Sequence, residues 1–328
     1  MRILVLLLAA LHVAQATPDE RPALAVVEKI SGSVGFYTAE GKRIGGVQVG
    51  VHPHEIILSP DRRYAYVSDN GILWMTNPGE GGNTISIIDL KSMKKAGVIS
   101  LGNYRRPHGM DVDPKTGRLV VTIENPDGLL LVDLSERKVL RKYDVQGGDP
   151  HMVMLSRDGQ HAFVSNTTTN TIAAVHLDTG KVTLIPTDAR PQGGTLSHDG
   201  KRYYIANSEG NSIAIIDTEK KQRIGTIKCG RGAARVALTP DGKTLVYNLG
   251  EGGNAVGFAD VASLKETTVL PIGGRPLSLT LSSDGRFAYL GVQDQDRIVV
   301  VSVPERKIVR VIETPKGAGP DPALPLNW

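Results

Sequence analysis

One cysteine, Cys229, stands in 328 residues. It has no partner for an internal disulfide, and it rules out a Cys-x-x-Cys-His attachment site for c-type haem. Aromatic residues are 5% of the chain, and only two are tryptophan, Trp74 and Trp328. Basic residues do not cluster: the net charge of +4 is spread along the chain, which argues against nucleic acid as a partner. Beyond the N-terminus no apolar run is long enough for a membrane span. No amphipathic helix of useful length can be drawn. No Gly-x-Ser-x-Gly elbow appears, and neither glycine-rich stretch, 78–82 or 250–254, follows the strand-then-helix pattern of a nucleotide phosphate loop.

What is present begins with an export signal. Arg2 is followed by the apolar run 3–11 and by Ala14-Gln15-Ala16, a small-x-small cleavage site. The expected division is residues 1–16 as signal peptide and residues 17–328 as one domain, periplasmic or secreted. Without disulfides, such a domain must be held by its sheet core.

The strongest signal is internal repetition. A turn recurs six times, in forms such as Ser156-Arg157-Asp158-Gly159, Ser197-His198-Asp199-Gly200 and Thr239-Pro240-Asp241-Gly242. Asp-Gly accepts the positive φ of a tight hairpin, so each copy joins two antiparallel strands. A β-rich run follows each turn, then a third strand such as Ile213-Ala214-Ile215-Ile216-Asp217, then a fourth. Four short strands per period make a propeller blade. Taking Pro53, Pro107, Pro150, Pro191, Gly232, Pro276 and Pro322 as openers gives steps of 54, 43, 41, 41, 44 and 46 residues. The last opener has no full blade after it. Its three missing strands are found at the other end, over 24–29, 33–37 and 43–49. The fold predicted is an all-β, seven-bladed propeller with four antiparallel strands per blade, closed by a C-terminal inner strand that joins N-terminal outer strands.

The runs Tyr66-Val67-Ser68-Asp69, Phe163-Val164-Ser165-Asn166 and Tyr203 to Asn207 are preceded by Ser-x-Asp-Gly-like turns and followed by Ile-Ile-Asp. In these the chain resembles the YVTN-family β-propeller repeats over nearly all of residues 17–328. The resemblance implies the propeller fold and an envelope or surface setting. That family includes surface-layer proteins, periplasmic proteins of quinone or haem pathways, and relatives of lactonase propellers. A WD40 propeller is disfavoured, since no Trp-Asp or Gly-His pair repeats.

In a repeat fold, function sits where the repeats differ. After the openers stand His54, His108, His151, Gln192, Ala233, Leu277 and Ala323. Three consecutive blades thus share a histidine at one position, with Glu55 adjacent and Glu124 at the end of a second strand. His54, His108, His151 and Glu124 are the candidate metal ligands, for copper or zinc, with Met75, Met110 and Met152 nearby to favour copper. The alternative is that Pro-His suits the turn and each ring bonds locally. His161, His176 and His198 read as structural. Arg106, Arg190, Arg231 and Arg275 each precede an opener, with Arg105 and Arg235 close by. They would ring the same mouth and suit a carboxylate or phosphate, or else form a solvated rim. An insertion over 71–83 carries Trp74, a candidate ligand lid, partner anchor or channel cap. Three functions follow: an exported binding protein for a small anion, metal or redox cofactor; a lactonase-like, metal-assisted hydrolase; or an interaction scaffold for an envelope protein. The first is favoured on the mouth residues.

Overall fold

A computed structural model describes residues 21–326. The proposed signal peptide and Trp328 lie outside them. Seven four-stranded antiparallel sheets are arranged as seven blades. The first begins with the inner strand Pro53–Leu58 and the second with Arg105–Val112; the third to fifth begin with Pro150–Leu155, Pro191–Leu196 and Ala233–Leu238. The sixth enters through a bridge of Pro276 to Val292 and the short strand Thr280–Leu281. The seventh is composite: Pro320–Pro325 pairs with Leu24–Glu28, which pairs with Ser33–Tyr37 and then Arg43–Gln48. Both ends of the described chain therefore share one sheet, as the missing strands predicted.

The repeated turn forms because its side chains satisfy the backbone. Ser59, Ser156, Ser197, Thr239 and Ser282 each donate to the aspartate two residues on, at 2.5 to 2.6 Å. That aspartate accepts the amide of the fifth turn residue, and the hydroxyl accepts the amide that opens the second strand. Seven apolar clusters fill the seven seams between neighbouring blades. In the seam of the seventh and first blades, for example, Val27, Val34 and Phe36 meet Val67, Ile88 and Leu90. Each such side chain contributes on the order of 1.5–3 kcal/mol by leaving water.

Strand pairing moves the opening residue in two blades. Pro53 faces Asp69, Pro150 faces Asn166 and Pro191 faces Asn207; the partner at that register in the fifth blade is Ala233 facing Leu249. In the seventh, Pro320 faces Glu28 across the same one-residue bulge. The openers are thus Ala233 and Pro320, not Gly232 and Pro322, and the steps become 54, 43, 41, 42, 43 and 44 residues. The residue before the opener is left-handed in six blades: His52, Arg106, Asp149, Arg190, Gly232 and Gly319, with φ between 42° and 81°. Ala323, expected at the mouth, is buried in a seam.

Candidate functional site

The register decides what lines the channel mouth. The residues after the corrected openers are His54, His108, His151, Gln192, Ala234, Leu277 and Asp321. All seven line one cavity of about 600 Å³. Asp321 replaces Ala323 in that ring, and Ala234 replaces Ala233.

The three histidines converge. His54 Nδ1 lies 3.2 Å from His108 Nε2, and the His108 and His151 rings meet edge-on with centroids 4.2 Å apart. Gly109 permits this approach: a Cβ there would come within 2.6 Å of the His151 carbonyl oxygen and the Met152 Cα. All three rings are buried. Hydrogen-bond direction fixes their protons. The Ile72 carbonyl can only accept, so His54 Nε2, 2.7 Å away, donates. Burial, followed by the charges of Lys29 and His108, lowers the pKa of His54 well below that of a free histidine, so its ring is neutral. Its Nδ1 then accepts from His108 Nε2. The other His108 nitrogen faces Glu124 Oε1 at 2.7 Å, so one proton is held between them. His151 is also kept neutral, by burial first and then by His108 and Arg235. It bonds to the Gln192 backbone, and its Nδ1 is buried with no hydrogen-bonding partner.

This arrangement gives the copper or zinc reading no support of its own. His54 and His108 spend both nitrogens on hydrogen bonds. Among the described residues, no group of three or more His, Cys, Asp or Glu side chains is placed to hold a metal ion. Met110 is buried in the apolar seam of the first and second blades. Glu124 does orient His108, whereas Glu55 reaches the other way, to Arg235 at 2.8 Å. That ion pair joins the first blade to the fifth and so crosses the channel.

The arginines divide. Arg190, Arg231 and Arg275 line the cavity, as does Arg235. Arg106 does not. Its guanidinium donates to the carbonyls of Met75, Asn77 and Gly79 at 2.8 to 3.4 Å and lies 3.8 Å from Glu124. It clamps the insertion. Held there, Leu73, Trp74, Met75 and Thr76 wall the cavity. Lys29 Nζ and the Arg275 guanidinium lie 5.4 and 5.5 Å from the Trp74 ring centroid, in cation–π range. Lys29 also pairs with Asp321 at 3.2 Å.

A propeller with a polar, cation-rimmed mouth directs the comparison with known proteins. The family model described as lactonase, 7-bladed beta-propeller, matches residues 104–316, more than half of the chain. The chain belongs to this lactonase propeller family. The match is to the seven-bladed lactonase type and does not single out the YVTN repeat. No curated protein matches this lactonase propeller by sequence. Among solved structures it is similar to the periplasmic gluconolactonase PpgL of Pseudomonas aeruginosa, at 17% identity over 93% of this chain and 98% of that one, with a TM-score of 0.75. A functionally unknown protein of Desulfotomaculum acetoxidans shares 14% identity over 92% and 98% of the two chains, with a TM-score of 0.76. The dihydro-heme d1 dehydrogenase NirN shares 17% identity over 96% and 78%, with a TM-score of 0.67. Identities this low establish a shared fold.

Sequence reasoning placed the histidines of this lactonase propeller at one structural position. It missed Lys29, Asp321 and Glu251 in the cavity wall. The repeated residue before each opener was the signal that could have found Asp321: Gly319-Pro320-Asp321 matches Arg106-Pro107-His108 and Asp149-Pro150-His151.

Proposed function

We propose that the cavity opens a lactone by hydrolysis and holds the hydroxy carboxylate that results, in an exported, periplasmic protein. The observation that carries this reading is the pairing of chemistries in one cavity. Neutral His151 and the proton shared by His108 and Glu124 stand beneath a wall of arginines. A neutral imidazole accepts a proton from water as it attacks the ester carbonyl. The bond from that carbonyl to the ring oxygen breaks, and the proton passes to the departing alkoxide. Arginine pairs with the carboxylate so formed and stabilises negative charge on the carbonyl oxygen as it builds up. This route uses the chain's own residues, in place of the metal-assisted one expected from the sequence. The membership in a lactonase family supports the reaction class, and the resemblance to YVTN repeats and the signal-like N-terminus support the periplasmic setting.

The test is acid release from an aldonolactone such as δ-gluconolactone, followed by pH-stat against spontaneous opening. A rate above background that is lost in His151→Gln bears the proposal out. Binding of gluconate, seen as a raised melting temperature, without any acceleration would replace it with a carrier of small organic anions. Neither effect would reject the ligand class.

A further inference from the structure

Among the described residues, Glu251 is the cavity-lining carboxylate that stands between Arg190 and Arg275. It sits on the loop after Thr244–Leu249, in the fifth blade. Its Oε1 lies 3.6 Å from Arg190 Nη1 and 3.9 Å from Arg275 Nη2, the arginines of the two flanking blades. Arg231 packs beside the same loop, where a Cβ on Gly252 would lie 3.2 Å from its Nε. The loop backbone is seated: Gly250 N donates to Gly232 O at 2.9 Å, and a Cβ on Gly232 would come within 2.4 Å of Glu251 N. The carboxylate is therefore delivered to its place by the fold. Both contacts exceed hydrogen-bond distance, and the side chains are 31% to 43% exposed. Ion pairs of that kind are weak and easily exchanged.

We infer that Glu251 is a specificity-determining residue that occupies the arginine site in place of a ligand carboxylate, so that the pocket admits a neutral ring ester and sheds the acid made from it. This deepens the lactone reading and rests on it. The discrimination is electrostatic. A neutral lactone does not compete with Glu251. An open-chain carboxylate must displace it from Arg190 and Arg275, or approach beside a like charge. Product then leaves a site that would otherwise retain it.

The experiment is calorimetric titration of the purified full-length protein with gluconate, in the parent, in Glu251→Gln and in Glu209→Gln. Glu209 pairs with Arg190 at 3.3 Å but does not line the cavity. Glu251→Gln is expected to bind gluconate about three- to tenfold more tightly, since each exposed pair removed is worth up to about one kcal/mol. Glu209→Gln should change affinity by less than about twofold. In the lactone assay, inhibition by added gluconate should strengthen in Glu251→Gln by about the same factor, and by more than any change in KM for the neutral lactone. Equal or weaker binding by Glu251→Gln, with the parent binding, overturns the inference and leaves the ligand class standing; Glu251 would then order the arginines instead. Equal gains in both variants also overturn it, as an effect of net charge. Binding by none of the three proteins rejects the ligand class and the inference together.

Discussion

His54 and His151 are buried and neutral in the folded protein, while in the unfolded chain each titrates near 6.5. Their folded pKa values are lowered, so the unfolded state takes up protons first as pH falls. Stability is therefore lost between pH 7.5 and 6, by about 0.8 kcal/mol for each histidine over that interval. The Asp111 carboxyl, pushed up to about 6 by burial, acts in the opposite sense but mostly below this window. His161, lowered by burial and by Lys221, adds in the same direction; denaturant unfolding at pH 7.5 and 6.0 should show the loss, and His151→Gln should reduce it. An unchanged pH dependence in that variant would mean that the ring is not held neutral. The same scale shows what was legible beforehand. Three Pro-His pairs at one repeat position announced converging rings. Nothing in the sequence revealed that the Ile72 carbonyl consumes a His54 nitrogen, because that contact is made by an insertion whose path depends on tertiary structure.

At the scale of the element, the insertion over 71–83 is a pocket wall because one arginine holds it. Arg106 satisfies three loop carbonyls and lies near the buried Glu124. Arg106→Ala should cost about 1–2 kcal/mol, since it removes three loop hydrogen bonds, two of them exposed, and a 3.8 Å ion pair from Glu124, which keeps His108. The segment should become the first site of limited proteolysis, with the β-sheet spectrum unchanged. Cleavage no faster than in the parent would show that the wall stands without the clamp. Arg106 precedes its opener as Arg190 and Arg275 do, and on sequence the three are equivalent. The insertion alone sets it apart, by bringing carbonyls within its reach. The register slips in the fifth and seventh blades have a similarly local cause. Pro320-Asp321-Pro322 offers two openers, and choosing the second moves the functional position into the core; Gly232 has the left-handed φ of the residue before an opener.

For the whole molecule, closure depends on Pro320–Pro325, which supplies an inner strand to a sheet begun by Leu24–Glu28. Ending the chain after Gly319 exposes the edge of that sheet and uncovers Ile298 and Val300 in the adjoining seam. With total stabilities of about 5–15 kcal/mol, the truncated chain should be insoluble or melt far below the parent; a matching melt would disprove closure by this strand. Fold and closure were readable because a repeat states its architecture several times over, so one ambiguous copy does little harm. The site was less readable because it is assembled from single residues of different blades, each stated once.

The Glu55–Arg235 pair gives this ring a spoke. Seams in a closed ring ordinarily open one at a time, each resisted by its own apolar cluster. A tie from the first blade to the fifth resists any seam that would carry those two apart, on either side of the axis. Half the circumference therefore shares the strain of opening the other half, and one end of the tie, Arg235, is itself part of the pocket wall.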